Sequence, residues 1–286
     1  SNDIKEICYR RLLNKAAAGE EVLGALYDRH GQALRHNTRL QNASQYASDF
    51  DRTTFINLYP FLPAHFGLLL ALLSALAKST GGIGLRSAIK VIQDVLIEHT
   101  HQTPAAEQPV GWLATTATLY DALERDIRRS FASIYQAASR VMERHPDSPI
   151  HQEVAKTVVI LQILKTMPID AQNIASLLQR AVEEPSRRDA VEQAIADLRS
   201  DPYIPFGEQE GDLCFFSEKL NEIDKERSQL PVRTIESRRI RNEALRTAFT
   251  PLPSTRIHQS LTVSAGLKIV SGAQTTSLAG ERETIQ

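Results

Sequence analysis

Residues 58–98, LYPFLPAHFGLLLALLSALAKSTGGIGLRSAIKVIQDVLIE, leave the chain few ways to fold. Pro60 and Pro63 bias the entry away from helix, because proline fixes φ and suits a first helical turn at best. Leu69, Leu70, Leu73, Leu76 and Ala77 then recur at helical spacing and predict one buried face. Gly81, Gly82 and Gly84 interrupt that helix. Leu85, Ile89, Ile92 and Leu96 begin a second apolar stripe, with Lys90 and Asp94 on its other side. The expected product is a helical hairpin. Arg86 falls in the first turn of the second helix, where a cation opposes the helix dipole unless an anion is near. A loop-solvating arginine is the plain alternative. The leucine run at 68–77 is too short to span a bilayer, with His65 before it and Lys78 closing it.

The rest of the chain reads mainly as helix. Ile4, Ile7, Cys8, Arg11, Leu12 and Lys15 give one amphipathic helix, and Val22, Leu26 and Leu34 a second. His30 and His36 read as solvated helix residues. Residues 37–54 are polar and predict a loop, and 99–111 predict a surface connection carrying His99 and His101. A long helix is expected from Trp112 to Glu143, with Trp112 anchoring the linker. His145-Pro146-Asp147-Ser148-Pro149 marks a stop and a boundary.

From 150 to 230, three helices are expected: Val154 to Leu164, a short one capped by Asp170, and a third capped by Ser186. A hairpin over 203–216 and a final helix over 218–229 follow. Three helices and a hairpin are the order of a winged helix, which often binds DNA through its third helix and wing. The charges oppose that here. Residues 150–230 carry nine Lys/Arg and fifteen Asp/Glu, nine minus fifteen being minus six. Glu208, Glu210 and Asp212 in the wing would face phosphates with like charge. Arg187 and Arg188 alone favour DNA, so packing or partner docking is the preferred role. Beyond Pro231, Arg238, Arg239, Arg241 and Arg246 make a basic helix with Ile235, Ile240, Leu245 and Phe249 on its apolar side. A solvated connector is preferred there over a nucleic-acid or acidic-partner contact. Residues 256–286 alternate as two or three strands, too few to bury a core alone.

Net charge is near zero, with 33 basic and 34 acidic side chains in 286 residues, so no strong general attraction to nucleic acid or anionic membrane is expected. Cys8 and Cys214 suggest neither a disulfide framework nor a zinc site and fit a reducing cytoplasm. The Ser1-Asn2 start, with Met142 and Met167 the only methionines, fits a cloning scar ahead of part of a larger protein. No G-x-x-x-x-G-K-[ST], G-x-S-x-G, H-E-x-x-H or CxxC pair occurs. Catalysis by this chain alone is therefore not expected, and no metal ligands or catalytic residues are assigned.

Tyr59-Pro60-Phe61-x-Pro63, the leucine-rich helix, the run Gly81-Gly82-Ile83-Gly84-Leu85-Arg86-Ser87 and the amphipathic helix after it resemble the helical lid of a large bacterial AAA+ ATPase. The nearest family is the large P-loop ATPase of bacteriophage-exclusion (BREX) defence systems and its relatives. The resemblance implies a mainly α chain: 1–57 as the helical end of the ATPase core, 58–149 as lid and connecting helix, 150–230 as a winged-helix-like domain, and 231–286 as basic connector and β extension. It implies that Arg86 is a sensor 2 arginine reaching the nucleotide phosphates. ATP and magnesium would be bound by the parent protein and not by this fragment. The implied partners are the rest of that ATPase, other defence-system proteins, further copies of the chain, and DNA, without a membrane. Two competing classes stay open: a nucleic-acid-binding module resting on the basic helix, and an oligomerisation or scaffold module.

Overall fold

The computed structural model describes residues 12–46, 49–80, 85–97, 103–216, 234–258, 261–271 and 274–280, with backbone alone for 79, 80, 85–88, 234, 235, 271 and 274. It is mainly helical with short antiparallel strand pairs, and it divides into a unit up to Glu222 and a second unit from Ile223. The helix expected from Ile4 to Lys15 lies outside the described residues up to position 11, and residues 12–15 are turn and coil, not helix. The helix expected over 218–229 lies outside the described residues, as do Cys8, Gly81 to Gly84, His99 and His101.

In the first unit, α1 (Ala17–Asn37) is followed by α2 (Arg52–Leu58), α3 (Pro63–Thr80) and α4 (Leu85–Ile97). Asp51 starts α2 by accepting from the Thr54 N–H at 2.7 Å, so helix begins inside the stretch expected as loop. The rest of that stretch is pinned down. Asn173 accepts from the Gln41 N–H at 2.7 Å and donates to the Gln41 carbonyl at 3.1 Å, Ser176 donates to the Arg39 carbonyl, and Leu40, Tyr46 and Phe50 are buried. Polar composition marked these residues as irregular, but three apolar side chains and two buried partners fix them.

The long helix expected over 112–143 is two: α5 (Thr116–Ser130) and α6 (Ala132–Arg144), broken at Phe131, whose φ of −133° and ψ of 48° are not helical. A Thr115–Thr118 capping box starts α5. No proline or glycine signals the break. Trp112 is held by a backbone bridge to Ala181, flanked by Leu113 N–H to Arg180 carbonyl at 2.7 Å and Val182 N–H to Gly111 carbonyl at 2.8 Å. Gly111 has φ of +101°, a conformation that suits glycine, and its N–H reaches the Tyr59 hydroxyl.

Next come α7 (Pro149–Leu164), α8 (Ala171–Leu177), α9 (Arg188–Ser200), β1 (Phe206–Gln209) and β2 (Asp212–Phe215). Pro149 opens α7, Lys165 closes it in the left-handed region, and Asp170 caps α8 by accepting from Asn173 N–H at 2.8 Å. Ser186 accepts from the Arg188 N–H at 3.4 Å, while Arg187 itself occupies the cap position of α9. β1 and β2 pair antiparallel with Phe206 opposite Phe215, joined through Glu210 and Gly211 at φ of 56° and 92°.

One core cluster runs from Phe61 through Leu76, Leu119, Leu123 and Val158 to Ile195 and Phe215, crossing position 149 without interruption. Helix α7 is its centre, packed against α3, α5, α6, α9 and β2. A smaller cluster joins α1 to α2 through Leu26, Leu34, Phe50 and Phe55.

In the second unit, α10 (Thr234–Ala248) lies against the hairpin of β5 (Leu267–Ser271) and β6 (Gln274–Ala279), with Arg246 donating to the Leu278 carbonyl at 2.9 Å. β3 (Ser254–Ile257) and β4 (Leu261–Ser264) form a separate hairpin. The two or three strands expected are thus four, and Leu278 is the buried apolar side chain among the described residues of this unit.

Candidate functional site

The hairpin around Arg86 is anchored by its first helix. Leu68, Leu69, Leu72 and Leu76 of α3 are fully buried, and Ile92 of α4 closes against them. Among the described residues no single helix is long and apolar enough to cross a membrane. Arg86 stands in the first turn of α4, and its side chain lies outside the described residues. Its role therefore rests on sequence position.

The two arginines expected to favour DNA at the start of α9 are committed to the protein itself. Arg187 is drawn inward, its side chain 9% exposed, donating to Glu153 at 2.6 Å and to the Leu178 carbonyl at 3.0 Å, with Glu184 3.8 Å away. The cause is tertiary: from the cap position of α9 the Arg187 stem crosses to α7, where Glu153 and the end carbonyl of α8 make an anionic slot. This corrects the expectation of a phosphate-facing side chain. Arg188 is exposed but bonds Glu192 at 2.7 Å and Gln172 at 2.9 Å. In the hairpin, Glu208 pairs with Arg199 at 3.3 Å and Asp212 accepts from the Ile169 N–H at 2.8 Å. The arginines of that face are thus engaged within the protein, and its charge stays net acidic.

In α10, Arg238, Arg239 and Arg241 are exposed, while Arg246 is spent on β6. These three are the cations best placed to meet an external anion among the arginines singled out from the sequence whose side chains are described.

The structure also assembles groups that sequence spacing did not single out. Ser148 bonds His151 Nδ1 at 2.6 Å, and His151 Nε2 meets Asp197 Oδ2 at 3.2 Å. His145 stacks on His151 with ring centroids 4.2 Å apart and planes 1° from parallel. Burial, and next the His151 ring, lower the pKa of His145. The order Ser-His-Asp invites a nucleophilic reading, but Ser148 is the N-cap residue of α7 and His151 its third residue, and the bonds run between side chains that tie the start of α7 to Asp197 of α9. Parallel rings also point their lone pairs side by side, not at a common point, and no His, Cys, Asp and Glu grouping suited to a metal occurs among the described residues. The i, i+3 spacing of Ser148 and His151 was the one signal for this contact.

Deeper in, His65 Nε2 donates to the Leu177 carbonyl at 2.9 Å, and that carbonyl also receives Thr116, whose hydroxyl meets Thr157 at 2.6 Å. This seam ties α3, α5, α7 and α8 together. Burial pushes the His65 pKa down to about 4. A last feature is an apolar groove lined in part by Lys15, where α1 and the residues before it meet the links that follow α2 and α4.

Comparison with models of protein families, with curated proteins and with solved structures found no match.

Proposed function

We propose that this chain is the helical lid, with a following winged-helix-like unit, of a larger AAA+ ATPase of the phage-defence type, and that Arg86 senses the nucleotide phosphates. The observation that supports it is the order of elements. A buried leucine helix, a glycine run and a second helix opened by Arg86 come first, and then α7, α8, α9 and the β1–β2 hairpin. The sequence offers no phosphate cradle of its own, because a lysine after the glycine run is missing and one arginine cannot replace a ring of backbone N–H groups. ATP and magnesium belong, in this reading, to the remainder of the parent protein, and the chain couples nucleotide state to partners in a cytoplasmic defence assembly.

Two measurements test this. A Walker A motif encoded upstream of residue 1 is expected, and its absence ends the proposal. In the full-length protein Arg86→Ala is expected to impair ATP turnover while leaving the melting temperature of this chain nearly unchanged. Leu73→Ala, by contrast, removes a buried side chain and should cost about 2–5 kcal/mol. Wild-type turnover in Arg86→Ala would refute the sensor role.

A second reading, nucleic-acid binding, is favoured by one observation only: the exposed Arg238, Arg239 and Arg241 on α10.

A further inference from the structure

Lys15 precedes α1 and reaches across to α2, where its ammonium donates to the Asn57 carbonyl at 3.2 Å. That carbonyl belongs to the last turn of α2, where carbonyls lack helical partners and the dipole end is negative. One of three N–H donors is so used, leaving two. Among the described residues no carboxylate stands within ion-pair distance of Lys15. Burial lowers its pKa to about 8, the nearby Glu20 acting weakly the other way. A cation held half out of water with no counter-ion among the described residues is costly, and an anion delivered to it relieves that cost.

Lys15 lines a groove of about 520 Å³. Leu13 and Leu23 form its buried floor, Tyr59 and Leu96 its walls, and Val22 and Val110 an exposed apolar rim. The Tyr59 hydroxyl accepts from the Gly111 N–H, which fixes the ring and leaves its O–H to donate. The result is an apolar concavity of ligand-binding size with Lys15 and Asn14 as the polar side chains of its lining, the usual composition of a small-molecule site.

We propose that this groove binds a small aliphatic monocarboxylate, its hydrocarbon body lying on Leu13, Leu23 and Leu96 and its carboxylate received by the Lys15 ammonium. The charge selects the ligand. A neutral molecule with the same tail gains the apolar contacts but leaves the ammonium unpaired, and a dianion brings a second charge for which the apolar walls offer nothing. This site is independent of the ATPase reading, since it uses neither Arg86 nor the glycine run.

The test is calorimetric titration of the whole chain with octanoate and, in parallel, octan-1-ol. Octanoate is expected to bind saturably at one per chain with a dissociation constant below about 1 mM. Octan-1-ol is expected to bind at least tenfold more weakly, equivalent to about 1.4 kcal/mol. Lys15→Met, which keeps the stem and removes the charge, should bring the two ligands within about twofold of each other. Val22→Glu, at a position already half exposed and so without consequence for folding, should abolish octanoate binding by placing a like charge at the rim. Three results would overturn the proposal: no saturable octanoate binding at millimolar concentration, equal binding of both ligands by the wild type, or unchanged selectivity in Lys15→Met.

Discussion

Arg187 offers the sharpest test of how the first unit is held together. Its guanidinium, 9% exposed, bonds Glu153, itself 18% exposed, and the carbonyl that ends α8. Arg187→Met keeps most of the apolar stem but leaves the Glu153 carboxylate and the Leu178 carbonyl without that partner. Breaking a buried pair by removing one member costs about 3–5 kcal/mol, because the remaining charge stays desolvated. At 2–4 °C per kcal/mol for a unit of this size, the loss is roughly 6–20 °C in melting temperature. Replacing both members, as Arg187→Met with Glu153→Leu, should recover a large part of it, since a well-packed apolar pair is often as stable as a buried ion pair. Arg188→Ala, at an exposed position, should fall within about 0.5 kcal/mol. The assay is urea unfolding of the wild type, Arg187→Met, Glu153→Leu and the double variant, read as a double-mutant cycle, with Arg188→Ala as the exposed control. If Arg187→Met costs under about 1 kcal/mol, or the double substitution is as damaging as the sum of the singles, the buried-pair reasoning fails. If it also abolishes duplex DNA binding by a fully folded protein, the side chain serves an external anion after all.

His65 should make the protein acid-sensitive. Its folded pKa of about 4 lies below the ordinary value near 6.5, so the unfolded chain binds the proton first; stability is full above pH 6.5 and falls as pH drops. The loss attributable to this ring is about 2 kcal/mol by pH 5, measurable by urea unfolding across pH 4.5–7.5, and His65→Gln should flatten that limb; His145, lowered by burial, contributes in the same direction and supplies a control. An equal acid limb in His65→Gln would refute the assignment. On α10, three exposed arginines can neutralise at most about three phosphates, so any duplex binding should weaken with salt at a slope no steeper than about −2.7. Binding should be weak at physiological salt, and sub-micromolar affinity lost in Arg238→Glu/Arg239→Glu would raise the nucleic-acid reading above the connector reading.

What the sequence displayed was periodicity and punctuation. The leucines of α3 and the valines of α7 announced buried helices and Asp170 announced a cap, whereas the hairpin was read with a six-residue turn over 207–212 and the structure closes it in two, Glu210-Gly211, with β1 over Phe206–Gln209. What it hid was direction. Arg187 and Arg188 are adjacent and chemically identical, yet one turns inward to Glu153 and the other outward to Glu192, a choice made by where α7 lies and not by local pattern. The break at Phe131 was hidden for a related reason: the apolar stripe continues across it, because both helices bury a face on α7. Lys15 looked like one more polar residue on an amphipathic helix, and its partner Asn57 is 42 residues away.

The uninterrupted core across position 149 bears on how a lid of this kind could signal. Helix α7 packs against α3 on one side and against α9 and β2 on the other, and the Gln162 amide exchanges two hydrogen bonds of 2.9 Å with Phe215. The His65–Leu177–Thr116–Thr157 seam crosses the same boundary with groups nearly all desolvated. Sliding the hairpin helices past α7 would orphan these buried donors and acceptors, each at about 1–3 kcal/mol, in addition to opening apolar contacts. Shear at that boundary is therefore expensive compared with rotation of the whole unit. Under the lid reading, a force applied at Arg86 would move the helices of α3 and α4 together with the three-helix and hairpin segment as one body. The winged-helix-like unit then acts as an arm of the lid, and the place to look for a hinge is outside the core that α7 organises.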